Sequence, residues 1–358
     1  MKVFKFGGSS VKDAAAMKRV ANILKESNDC SLVIISATKN TTNELEEVGL
    51  ASAKSKDTGL KLWRDTFSRH TLIIEELGTT TSLEDLSKEV ESIIEKIQLN
   101  QELNPELMDS LYSIGERLST AILSDYLVNI LNRKVIYKDA REVLTTDENF
   151  SRATPLLNEM KSRVWNISEN ELIISQGFIA RSLDGRTTTL GREGSDYSAT
   201  LFGELYECDE VVIWTDVCGV ATIDPRLSKQ AKYISHMSYD QASSLAHYGA
   251  KVLFDRTLAP AQRNNFIVRV KSTMNPDAIG TIISNDENSA KLLAMAVADD
   301  IVTIIGAHVD SQKVMKSLCL DKIVNQSRTS ISFKIPSSQM DSVIADAHKM
   351  ILEYHQSE

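Results

Sequence analysis

The stretch "VFKFGGSSV", residues 3–11, runs an apolar strand into two glycines and two serines. Gly7 and Gly8 lack Cβ atoms, so the backbone there can approach an oxyanion and offer its N–H groups. The following helix is expected to start near Ser10 or Val11, which would aim further amides, and a partial positive charge, at the same spot. Lys5 adds a full positive charge just before the turn. Together these make a cradle for phosphate, with Lys5 placed to meet a transferring phosphoryl group. The spacing is neither that of a Walker A loop nor that of a dinucleotide-binding fingerprint. Taken alone, a strand, two glycines and a helix also describe an ordinary tight turn.

Outward from this stretch, short apolar runs recur: "KVFKF" (2–6), "SLVIIS" (31–36), "KVIYK" (134–138), "ELIIS" (171–175), "EVVIW" (210–214) and "FIVRV" (266–270). Such runs read as buried parallel strands. Helical patterns lie between them; over residues 12–25, Met17, Val20, Ala21 and Leu24 share one face. Alternation of this kind predicts an α/β fold, an open and mostly parallel sheet sandwiched by helices. Residues 45–131 break the rhythm with helical patterns alone, an insertion that either covers the sheet or forms a lid over a substrate. After the polar stretch "NDENSAK" (285–291), the tail reads as two strands, a helix, two strands and a final helix. That order fits a small α+β domain.

The composition is that of a globular enzyme. The 358 residues are 42% hydrophobic and 25% charged, with a formal net charge of −9. An acidic chain with dispersed lysines is a poor partner for nucleic acid. Cys30, Cys208, Cys218 and Cys319 form no CxxC pair, so no zinc ribbon or disulfide framework is suggested. No apolar run approaches the roughly 20 residues of a membrane span. With no signal-peptide pattern at Met1, a cytoplasmic setting without membrane attachment is expected.

Two more polar runs sharpen the reading. "GRTTTLGREGSDYSA" (185–199) gathers glycines, threonines, Ser195, Arg192 and Asp196. Threonine hydroxyls and glycine amides suit phosphate oxygens, and Arg192 can grip a carboxylate or phosphate with a fork of two bonds. Asp196 is either a helix N-cap or a carboxylate that holds Mg²⁺ or orients Lys5. "WTDVCGVATIDPR" (214–226) follows a strand, at the sheet edge where open α/β folds bind ligands. There Thr215 and Asp216 suit a ribose or base and Arg226 suits phosphates, unless the run is only a turn and an Asp-Pro boundary.

These runs, with "GERLS" (115–119), "QGFIA" (176–180) and "YGAKVLF" (248–254), resemble the aspartate kinases of the amino-acid kinase family. The resemblance extends from about residue 2 to 284. It implies ATP-dependent phosphorylation of the β-carboxylate of L-aspartate to 4-phospho-L-aspartate, the first step of lysine, threonine and methionine biosynthesis, with Mg²⁺. It also implies a catalytic domain over 1–284 and a homodimer. By motif position, Lys5 resembles the catalytic lysine and Asp196 the carboxylate that organises the site. Glu116 resembles the partner of the substrate ammonium, Arg192 the clamp on its carboxylate, and Phe178 the aromatic packed nearby. Ser36 and Thr42 resemble substrate-loop residues. Lys5, Gly7, Gly8 and Ser9 resemble the phosphate-binding turn, and Thr215, Asp216, Arg226, Lys251 and Val252 the nucleotide contacts. Two departures stand out. Glu193 occupies a position that is usually glycine, adding charge and, if φ is positive there, strain. The tail, residues 291–358, has room for one shortened ACT-like unit where such kinases commonly carry two.

Overall fold

The computed structural model describes residues 1–249, 255–286, 292–307, 309–320 and 322–356. Contacts between Cα atoms divide the chain into two units, Met1–Asp216 and Val217–Glu358.

The first unit runs β1 (Lys2–Phe6), α1 (Ala14–Lys25), β2 (Cys30–Ile35), α2 (Thr41–Ser52), α3 (Lys56–Leu77), α4 (Glu84–Asn100), α5 (Pro105–Ile130), β3 (Lys134–Lys138), β4 (Thr145–Thr146), α6 (Leu157–Lys161), β5 (Glu171–Gln176), β6 (Ile179–Ser182), β7 (Thr187–Thr189), α7 (Gly194–Leu205) and β8 (Glu210–Thr215). Its main sheet has the order β3-β5-β2-β1-β8, every neighbouring pair parallel. The expected strands are all present, within a residue or two of their predicted ends.

Strand alternation sorts the side chains of β1. Phe4 and Phe6 join the apolar core shared with α1 and the helical insertion, alongside Trp63, Ile94, Leu111 and Ile114. The insertion therefore covers one face of the sheet. Val3 and Lys5 point the other way, to the face on which α7 packs. Period two thus delivers a lysine to the one helix of this unit that carries Asp196.

The expected helix start at Ser10 or Val11 is corrected by the structure. A 3-10 turn covers Gly8–Val11, and α1 begins at Ala14. The reason is local: the Asp13 carboxylate accepts from the Ala16 N–H at 2.7 Å and caps α1 there. The amides beside the glycines belong to a tight turn, not to the first turn of a long helix.

Parallel strands end on one edge, and the backbone continues the ladder past it. Gly7 N–H donates to the Trp214 carbonyl (3.2 Å), Ser36 N–H to that of Phe6 (3.1 Å), and Gly177 N–H to that of Ile35 (2.9 Å). Four sequence segments are thereby held side by side at the carboxyl edge.

The second unit contains β9 (His236–Ser238), α8 (Tyr239–His247), α9 (Asp255–Asn264), β10 (Ile267–Ser272), β11 (Thr281–Ser284), β12 (Ala294–Ala298), β13 (Ile301–Ile305), α10 (Ser311–Leu318), β14 (Ile323–Gln326), β15 (Ser330–Lys334) and α11 (Met340–Gln356). The tail folds in the expected strand and helix order, as an antiparallel sheet β12-β13-β15-β14 with two helices. Its core, built on Val302, Ile304, Phe333 and Ile351, also takes in Ile223.

Ile94 is fully buried among the insertion helices. Ile94→Ala is expected to cost about 2–5 kcal/mol of stability, because the neighbours cannot fully close on the cavity. Chemical denaturation reads this directly.

Candidate active site

The carboxyl edge of the first unit opens into a cavity of about 530 Å³. Lys5, Gly8, Ser36, Thr42, Glu116, Phe178 and Arg192 all line it. Seven residues chosen from five sequence segments therefore meet in one place. Gly7 and Ser9 flank the turn that bears Gly8.

Lys5 and Asp196 form an ion pair at the floor, both side chains almost entirely buried. Asp196 sits in the first turn of α7 but does not cap it; the N-cap position is Glu193, without a side-chain cap bond. The pair joins the middle of the sheet to the start of a helix. A buried ammonium needs such a partner, since removing either member would strand a charge in low dielectric. Among the described residues no group of three or more His, Cys, Asp or Glu is gathered to hold a metal.

Gly8 makes the closest backbone approach. A Cβ there would lie 2.8 Å from the Ala37 carbonyl oxygen. The Lys39 N–H donates to the Gly8 carbonyl at 3.1 Å, so the turn and the loop after β2 are fastened together. Gly7 is less crowded: its Cβ would meet Lys5 Nζ at 3.4 Å.

Glu116 projects from α5, buried, and its Oε2 has no hydrogen-bond partner among the described residues. Burial pushes its pKa up to about 8, against smaller opposing contributions from backbone hydrogen bonds and the Lys5 charge. An orphaned acceptor of this kind, lining a cavity, is an unfilled place for a cationic or N–H-bearing group.

Phe178 follows β5 with φ +67° and packs edge-on against Tyr112 of α5 at 6.1 Å. Its N–H donates to Ser198 Oγ (2.8 Å), which fixes the unusual backbone. A Cβ on Gly194 would collide with the Phe178 ring at 2.6 Å, so the glycine is needed where α7 meets that ring.

Thr189, one of the threonines of the 185–199 run, lines the cavity too, as do residues missed in the sequence, among them Thr38, Tyr112 and Ser151. Tyr112 carries a readable signal, because it lies four residues before Glu116 on the same helical face. Thr38 does not: it is bonded by Arg69 (2.8 Å) and His70 (3.1 Å) from α3, contacts with no local pattern. Burial holds the His70 pKa down to about 4, so this support stays neutral at ordinary pH.

The other expected nucleotide contacts are placed less tightly. Thr215 ends β8 and Asp216 follows it on the same edge, the Thr215 hydroxyl donating to Asp216 Oδ1 at 3.2 Å. Arg226, in the second unit, is exposed and forks onto Asp224. Lys251 and Val252 lie outside the described residues.

The suspected strain at Glu193 is present, with φ +54°. Partial burial and the neighbouring Asp196 carboxylate raise its pKa. Relief of left-handed strain and of like-charge repulsion outweighs the added freedom of the unfolded chain, so Glu193→Gly is expected to stabilise the protein by about 1 kcal/mol. A lower denaturation midpoint for the variant would contradict this.

Comparison with known proteins gives the geometry its context. The model of the amino acid kinase family matches residues 1–272. Lysine-sensitive aspartokinase 3 of Escherichia coli is 37% identical over 310 residues, covering 82% of this chain and 67% of that protein. The aspartokinase of Chlamydia trachomatis is 36% identical over 292 residues, 80% of this chain and 65% of its own length. The chain thus spans about two thirds of these curated relatives. The crystal structure of E. coli aspartokinase III with aspartate and ADP superposes with a TM-score of 0.83 at 27% identity, covering 98% of this chain and 99% of that one. The chain belongs to the amino acid kinase family, among its aspartokinases.

Proposed function

We propose that this chain is an ATP-dependent aspartate kinase, transferring the γ-phosphoryl group of Mg-ATP to the β-carboxylate of L-aspartate. One observation carries the reading: Lys5, ion-paired to the buried Asp196, and the buried Glu116, whose Oε2 has no hydrogen-bond partner among the described residues, line a single cavity. The product is 4-phospho-L-aspartate, which feeds lysine, threonine and methionine synthesis.

The chemistry asks for little proton transfer. A free aspartate side chain has a pKa near about 3.9, so the nucleophile is already ionised. The obstacle is bringing one anion to another. Lys5 meets the charge on the transferring phosphoryl, and Asp196 holds that ammonium on the correct side of the sheet. The amides around Gly8 receive phosphate oxygens. Mg²⁺ arrives with ATP and neutralises phosphate charge when bound. Thr215 and Asp216 serve the nucleotide from the first unit.

Glu116 pairs with the substrate ammonium, and Arg192 clamps its α-carboxylate. Ser36, Thr42 and Phe178 bound the space between them. In this reading the catalytic region runs over 1–284 and the tail over 291–358 forms one ACT-like unit. The enzyme is further read as a cytoplasmic homodimer.

Hydroxylamine trapping of acyl phosphate with Mg-ATP tests the reaction. L-Aspartate is expected to give hydroxamate and L-glutamate far less; equal yields would reassign the acceptor, and none from either would refute the kinase reading.

Glu116 also sets a pH dependence. Below about pH 8 the empty cavity holds it protonated, and pairing with an ammonium expels that proton. Apparent KM for aspartate is therefore expected to fall as pH rises from about 6, by up to roughly tenfold per unit, and to level off near 8. Glu116→Gln should bind weakly and lose that slope.

A further inference from the structure

Helix α5 presents Asp109, Tyr112 and Glu116 at positions i, i+3 and i+7, one face over two turns. Tyr112 and Glu116 line the cavity, whereas Asp109 does not. Its side chain is wholly buried. Its partners are hydrogen-bond donors rather than a cation. Oδ2 accepts from the Ser151 N–H (2.8 Å) and the Thr189 N–H (2.9 Å), and Oδ1 from the Thr189 hydroxyl (2.8 Å).

Those donors come from segments 42 and 80 residues away along the chain. Ser151 lies in the loop after β4, and Thr189 ends β7 just before the run that carries Arg192. Both residues line the cavity. The two segments are also bonded to each other, Ala153 N–H to the Thr189 carbonyl at 2.9 Å. Ser151 has φ +68°, a conformation that persists only where surroundings hold it.

A buried carboxylate is costly compared with an apolar residue of similar size, unless its hydrogen bonds do something packing cannot. Here they fix two cavity walls to the helix that bears Glu116. We infer that Asp109 is a positioning residue, whose carboxylate fastens the Ser151 and Thr189 segments to α5 and so sets the spacing between Glu116 and the Arg192 run. The inference rests on reading this cavity as the amino-acid acceptor site.

The consequence is selective. Spacing across the acceptor pocket governs the amino acid, while the nucleotide is met elsewhere on the edge. Asn at this position can keep every tie: its amide oxygen takes both N–H bonds, and its NH2 donates to the Thr189 hydroxyl, which turns to accept. Ala keeps none.

The test compares Asp109→Ala, Asp109→Asn and wild type by steady-state kinetics and by amide hydrogen exchange. Asp109→Ala is expected to raise KM for L-aspartate by roughly tenfold or more with KM for ATP within about twofold, and Asp109→Asn to stay near wild type on both. Exchange over 149–155 and 186–192 should quicken in Asp109→Ala and not in Asp109→Asn. A folded Asp109→Ala with unchanged KM for aspartate, or with both KM values raised equally, would overturn the inference. Should wild type form no acyl phosphate from any acid, the functional reading fails while exchange still decides the ties: unchanged rates at both segments would overturn them.

Discussion

The Lys5–Asp196 ion pair is the constraint on which the rest of the site depends. A lysine inside a parallel sheet is tolerable only with an anion against it. Strand alternation turns Lys5 to the α7 face, and the first turn of α7 supplies the carboxylate. To bring them together, the chain must enter α7 through a backbone that leaves little room. Gly177 packs against Ser195, where a Cβ would come within 2.6 Å of the serine Cβ, and Gly194 packs against Phe178. The left-handed conformation of Glu193 lies in the same bend. Strain there accompanies the placing of a charge, a common association at working sites.

The opposite wall obeys a different rule. Helix α5 shares its core with the sheet, so its position is fixed by hydrophobic packing. From that rigid support it offers Glu116, with one carboxylate oxygen unsatisfied among the described residues, and Asp109, with both oxygens hydrogen-bonded. In the proposed reading the first receives the substrate ammonium, and the second is inferred to hold the walls. Equal burial and opposite bonding distinguish a recognition group from a positioning one. On the proposed pairing, an amine-free acid would leave Glu116 without an ionic partner, which is how such a pocket would reject near analogues.

Much of this was legible in the residues alone. Apolar runs of five or six residues mark buried strands whatever the tertiary context, and glycine pairs after them mark where backbones approach closely. That was enough for Lys5 and Gly8, and the polar run 185–199 pointed to Arg192, but Ser36, Thr42, Glu116 and Phe178 were named only through the family resemblance; all seven line one cavity. The start of α1 was misread because Ser10 and Val11 give no stop signal, while the cap at Asp13 prevails only once its carboxylate meets the Ala16 amide. Asp109 was invisible because a carboxylate on a helix ordinarily faces water, and its partners are far away in sequence. Arg69 and His70, bonded to Thr38, escaped notice for the same reason.

The most direct test is acyl-phosphate formation by a Lys5→Met variant, with folding checked by circular dichroism and binding of L-aspartate by calorimetry. Methionine keeps the stem and removes the charge. The account predicts a folded protein that still binds L-aspartate and forms hydroxamate at least about a thousandfold more slowly than wild type. Turnover near the wild-type rate would contradict it, because the phosphoryl charge would then be met by some group other than the lysine at the floor of the pocket.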